Sequence, residues 1–242
     1  MPISKKHNLI FVHIPKCAGT SIEKMLDMSS PISYFTRFGL NTTSLGKYGV
    51  EREKFDSDLQ LELCAVKNLQ HLTLIQLSRI LDSDFFNSAS IFTVVRNPYT
   101  RLVSEYEFCR SGKSRFDNAF TTKYETFDSF VDSELITDPS AEELLQRVKL
   151  YDGHLETQAS YLLNSENTLS DVDKIYRFES IGETFQELKQ FSPVSQPIEA
   201  RKGEYEKKYS EYYANESTVN KVKQFYAQDF ELFNYDPNTI PE

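Results

Sequence analysis

Leu9-Ile10-Phe11-Val12-His13-Ile14-Pro15-Lys16-Cys17-Ala18-Gly19-Thr20-Ser21 is the stretch that decides the fold. Four consecutive apolar residues, Leu9 to Val12, bounded downstream by Pro15 and Gly19, read as a buried parallel strand. Beyond the turn, Ile22, Met25 and Leu26 recur at helical spacing, so the chain passes from strand through a tight turn into a helix N-terminus. Orphan N–H groups and the positive end of the helix dipole converge there. Gly19 permits close approach to the main chain, while Lys16, Thr20 and Ser21 add a cation and two hydroxyls that also suit helix caps. The run Lys16, Cys17, Ala18, Gly19, Thr20 and Ser21 is therefore a candidate anion cradle. Lys16 precedes Gly19, whereas the Walker pattern places Lys and Ser/Thr after its second Gly, which disfavours an ordinary ATP site.

A second strand-to-helix junction follows. Ile91-Phe92-Thr93-Val94-Val95 is another buried strand, and it runs into Arg96-Asn97-Pro98-Tyr99-Thr100-Arg101-Leu102-Val103-Ser104. Asn97 can cap a helix whose first residue is Pro98. Arg96 then stands at the carboxyl end of the strand, with Ser104 about two turns into the helix. Short strands alternating with helical patterns predict an α/β fold, a central parallel sheet with helices on both faces. Ligands of such sheets bind beyond the carboxyl ends of the strands, where Lys16, His71 and Arg96 all emerge.

In this order, and 80 residues apart from Lys16 to Arg96, the two motifs resemble the sulfotransferases that use 3′-phosphoadenosine-5′-phosphosulfate. The likeness is to the carbohydrate branch related to heparan sulfate and uronyl 2-O-sulfotransferases. Gln70-His71-Leu72-Thr73, Phe178-Glu179 and the stretch from Tyr226 to Tyr235 extend it over most of the chain. The resemblance implies a fold related to the P-loop nucleoside triphosphate hydrolases. It also implies that Lys16, Gly19, Thr20 and Ser21 hold the 5′-phosphosulfate, and that Arg96 and Ser104 hold the 3′-phosphate. Lys16 would stabilise charge on the leaving phosphate oxygen, and His71 would occupy the position of the base. Arg201-Lys202-Gly203 resembles a 3′-phosphate element of cytosolic sulfotransferases, but Glu204 and Glu206 follow it. A solvated charged face is an equal reading there.

Plainer readings accompany each residue. Arg96 can pair with Glu105 or Glu107, and His71 can be a helix-start residue bonded locally. His13 lies within the first strand, where a buried structural role suits it better than catalysis. His154 is the next candidate base, in Asp152-Gly153-His154.

The 242 residues suffice for one α/β domain with a sizeable core, and no convincing linker divides them, so a single domain spanning 1–242 is expected. A net charge of −9 argues against broad attraction to nucleic acid or anionic membranes, yet a few cations at one cleft can still bind a polyphosphate. The longest apolar runs fall far short of the roughly 20 residues that span a bilayer. Residues Met1 to His7 lack the apolar core of a signal peptide, so a cytoplasmic enzyme is expected, or a Golgi-lumen one whose anchor has been removed. Cys17, Cys64 and Cys109 match neither a disulfide framework nor a zinc spacing, and no carboxylate cluster calls for a metal.

Residues 29 to 60 and 111 to 153 lose regular periodicity and are expected to shape the acceptor cleft. The resemblance implies a hydroxyl acceptor, with a glycan the first expectation. A small-molecule kinase would need a Walker-type lysine and a magnesium carboxylate; a nucleotide-binding protein without catalysis would lack the base.

Overall fold

The computed structural model describes residues 3–28, 69–111, 123–140, 142–143, 151, 153–193 and 207–242. Contacts group the chain into two compact units, Met1–Val95 with Ser160–Arg201, and Arg96–Ala159 with Lys202–Glu242.

The first unit carries a four-stranded sheet in the order β1 (Ile3–Ser4), β2 (Leu9–Val12), β3 (Ser90–Val95) and β4 (Lys174–Arg177). All of β2 and the last five residues of β3 are buried, as expected of strands covered on both faces. β2 and β3 run parallel with Leu9 opposite Ser90 and Val12 opposite Thr93, so their carboxyl ends share one edge. β4 is parallel to β3, with Val95 opposite Arg177. The expected central parallel sheet is formed by β2, β3 and β4, and β1 adds to its margin by pairing antiparallel with β2. Only four residues separate the two, with Asn8 left-handed at φ 52°, and a connection that short can join only antiparallel strands.

An aromatic ladder crosses one face of this sheet. Phe11 stacks on its cross-strand partner Phe92 at 5.1 Å, and Phe92 meets Tyr176 edge-on at 6.1 Å. Because side chains two residues apart share a strand face, the same ladder reaches His13, stacked on Phe11 at 5.5 Å. Helices α1 (Gly19–Met25), α2 (Leu74–Ile80) and α3 (Ser83–Ser88) lie between β2 and β3 in sequence. Thr73 and Gln76 form a capping box that starts α2 where the Leu74, Leu77 periodicity begins.

The second unit is built on α4 (Pro98–Arg110), whose residues Pro98 to Tyr106 are all buried. The expected start holds: the Asn97 side chain accepts from the Tyr99 N–H at 3.0 Å, and Pro98 is the first helical residue. Around α4 are α5 (Phe127–Glu134), α6 (Gln158–Leu162), α8 (Tyr209–Tyr212), α9 (Glu216–Phe225) and α10 (Ala227–Leu232), while α7 (Ile181–Leu188) follows β4 in the first unit. Rings replace aliphatic bulk here. Tyr99 packs on Tyr213 and Phe230 at 4.8 and 5.1 Å, and Tyr106 on Phe127 and Phe130 at 5.2 and 5.4 Å. The Tyr99 hydroxyl donates to the Pro237 carbonyl at 2.6 Å, and burial pushes its pKa up to about 12. The expected strand at Cys64-Ala65-Val66 and the 29 to 60 excursion lie outside the described residues. No helix among those described is long and apolar enough to cross a membrane.

Candidate functional site

The turn after β2 is built from left-handed backbone that no glycine supplies. Lys16 (φ 67°) and Ala18 (φ 64°) both lie in the left-handed region, where each side chain costs about 1–2 kcal/mol. Left-handed residues interleaved in a turn curl successive N–H groups toward one concave side, and two such residues in three is strain of the kind found at functional sites. Ala18 is the N-cap of α1, and its carbonyl accepts from the N–H groups of Ser21 and Ile22 at 2.9 and 3.2 Å. The expected capping by Thr20 or Ser21 is therefore corrected. The cap position falls on a residue whose side chain cannot accept, so the first-turn N–H groups of Gly19 and Thr20 have no side-chain cap. Thr20 is exposed, Ser21 and Cys17 are buried, and Lys16 is half-buried.

Gly19 is needed for space rather than for torsion. A Cβ at this position would overlap the imidazole of His13, whose ring backs the first turn of α1. That ring cannot readily yield. It is stacked on Phe11, meets His71 edge-on at 4.6 Å, and its Nδ1 lies 2.6 Å from the buried carboxylate of Glu23. The other Glu23 oxygen accepts from Gln70 Nε2 at 2.5 Å. Gly19→Ala is accordingly expected to lower stability by about 1–3 kcal/mol, the usual cost of overpacking. Urea unfolding reads this as a lower midpoint at unchanged slope, and an unchanged midpoint means that the ring swings aside.

His71 closes a short 3-10 turn, Leu69–His71, and is held to the same platform. Its Nδ1 lies 3.2 Å from the His13 carbonyl oxygen. A carbonyl can only accept, so Nδ1 carries a proton, and in the neutral ring the lone pair is on Nε2. The structure thus brings His71 and the Lys16 loop together through one residue, His13. From the sequence His13 reads as structural, as it is here, but nothing in its spacing marks it as the joint between the two.

In the second unit, Arg96 sits between the end of β3 and the cap Asn97, buried. Its Nε donates to Thr100 Oγ1 at 3.0 Å and its Nη2 to the Tyr209 hydroxyl at 3.1 Å. Thr100 and Ser104 are four residues apart on α4 and share a face, which puts Ser104 one turn beyond the guanidinium's anchor. The acids considered as its partners hold other groups: Glu105 lies 2.9 Å from His154 Nδ1, and Glu107 binds Arg110 and the Tyr212 hydroxyl. Thr100 and Tyr209 were not legible as partners, although the spacing of Thr100 from Ser104 offered a signal. Arg201 and Lys202 lie outside the described residues.

Among the described residues no group of three or more His, Cys, Asp or Glu side chains is arranged to hold a metal ion. Neither curated proteins nor solved structures gave a match to the chain. A family model described as "Sulfotransferase family" matches residues 1–236, a span that takes in the Lys16 loop, His71 and Arg96 alike. With nearly its whole length inside that match, the chain belongs to the sulfotransferase family.

Proposed function

We propose that this sulfotransferase draws its sulfonate from 3′-phosphoadenosine-5′-phosphosulfate and delivers it to an acceptor hydroxyl, on a carbohydrate in the first instance. The observation that carries the reading is the bond from His71 to the His13 carbonyl, which fixes a candidate base beside the turn bearing Lys16. In the proposed division of labour, the turn Lys16, Cys17, Ala18, Gly19, Thr20 and Ser21 binds the 5′-phosphosulfate through its main chain and the Lys16 ammonium. Uncapped first-turn N–H groups suit an anion there. Arg96 and Ser104 bind the 3′-phosphate, with Arg201 and Lys202 as further cations. His71 takes the proton of the attacking hydroxyl on Nε2, and no metal enters. Residues 1–242 act as one sulfotransferase domain. Buried thiols at Cys17 and Cys109 suit a reducing, cytoplasmic setting.

Titration calorimetry tests the donor. 3′-Phosphoadenosine-5′-phosphate is expected to bind more tightly than AMP, and Arg96→Ala to erase that preference by removing a charge-assisted contact of roughly 1.5–3 kcal/mol. Equal affinity for the two nucleotides in the wild type rejects the donor assignment. A panel of glycans and small alcohols, incubated with donor and read by product mass, identifies the acceptor class.

A further inference from the structure

The backbone of Arg96 belongs to no regular element. β3 ends at Val95 and α4 begins at Pro98, so the Arg96 N–H and carbonyl fall between a strand ladder and a helix. A side chain takes both. The fully buried carboxamide of Gln158 accepts from the Arg96 N–H at 2.8 Å and donates to the Arg96 carbonyl at 2.8 Å, as the edge of a neighbouring strand would. Gln158 is in turn held by Asp229, also fully buried. Asp229 Oδ2 accepts from the Gln158 N–H at 2.9 Å and from its Nε2 at 3.3 Å, while Oδ1 accepts from the Ala159 N–H at 2.8 Å.

The strap that carries Gln158 is pinned along its length. Arg101 donates to the carbonyls of Glu156 and His154, both at 2.9 Å, and the Tyr226 hydroxyl to that of Leu155 at 2.9 Å. Burial pushes the Asp229 carboxyl above the ordinary carboxylate range, opposed by the nearby Arg101 charge and by the N–H groups it accepts. A buried carboxylate is costly to keep, and the hydrogen bonds of this one go to Gln158 and to the Ala159 N–H in the first turn of α6.

We infer that Gln158, oriented by Asp229, is a positioning residue that sets the Arg96 main chain, and through it where the guanidinium stands for a 3′-phosphate. This rests on the assignment of Arg96 to the 3′-phosphate. Two ends of one arginine are then fixed independently, the peptide by Gln158 and the guanidinium by Thr100 and Tyr209. Loosening the peptide end tilts the guanidinium without removing it.

Gln158→Glu tests this, because with little change of volume it removes the Nε2 group that donates to the Arg96 carbonyl and to Asp229 Oδ2. Ionised, the carboxylate still accepts from the Arg96 N–H but presents its second oxygen to the Arg96 carbonyl without a proton. Protonated, it restores the donor. The quantity to read is the ratio of affinities for 3′-phosphoadenosine-5′-phosphate and AMP, relative to wild type at each pH. A merely structural loss weakens both nucleotides alike; displacement of Arg96 is expected to lower the ratio about tenfold at alkaline pH. The ratio recovers on acidification, as the glutamic acid regains its proton.

A wild-type ratio in Gln158→Glu, with Arg96→Ala having lost it, overturns the inference alone. Absence of any preference in the wild type overturns the underlying assignment and the inference with it. Should Gln158→Glu fail to fold, Asp229→Asn carries the same ratio test. Amide exchange at Arg96 in the wild type needs no substitution at all. Slow exchange is expected from the Gln158 bond, and exchange at the rate of an unprotected amide overturns the clamp.

Discussion

Replacing His71 with alanine is expected to lower turnover about 10²–10⁴-fold, the usual contribution of a positioned general base, with nucleotide binding nearly unchanged. The expectation rests on tautomer rather than on position alone. Nδ1 is committed to the His13 carbonyl at 3.2 Å, and the edge-on contact with the His13 ring at 4.6 Å sets the plane of the imidazole. The basic nitrogen is therefore Nε2, with a fixed direction, which is what proton abstraction requires. Single-turnover transfer and nucleotide titration on the same variant separate the two effects. Near-normal transfer reassigns the proton to another group, and His154 is next in line, its Nδ1 held 2.9 Å from the buried Glu105.

Lys16→Ala is expected to lower kcat about 10²–10³-fold while affinity for the product nucleotide survives. As the bond to sulfur breaks, the oxygen left on the 5′-phosphate gains charge, so a cation held there stabilises the transition state more than the ground state. The left-handed backbone at Lys16 makes alanine an informative replacement. Both residues carry a Cβ and pay the same torsional cost, so the difference between them reads the ammonium. A raised Michaelis constant with kcat intact assigns Lys16 to binding instead.

Most of the scaffold was legible because it follows from local pattern. The buried runs Leu9–Val12 and Ile91–Val95 are strands, and the Asn97-Pro98 start is where it was expected. What escaped is what depends on distant pairs. Glu23 reads as an exposed helical acid until His13 and Gln70 are brought to its carboxylate. Gln158 and Asp229 are 71 residues apart and look like ordinary polar positions on amphipathic stretches. Their role appears only when the fold sets both against an irregular peptide. The role of Gly19 was legible only in part: from the sequence it leaves room for a ligand to approach the main chain, and the His13 ring behind it could not be read. The left-handed torsions of the turn are borne by Lys16 and Ala18, and the glycine makes room for the ring of the residue that follows β2.

That ring ties two positions into one hereditary choice. As long as residue 13 carries an imidazole in this position, a side chain at residue 19 is penalised, and the penalty is relieved when volume at 13 is given up. Giving it up takes the His13 partner from the buried Glu23 and leaves it the Gln70 amide, which puts a third position under strain as well. His13, Gly19 and Glu23 are thus expected to be kept or exchanged as a set, while the His13 carbonyl, which any residue supplies, leaves the anchor of His71 untouched by the exchange.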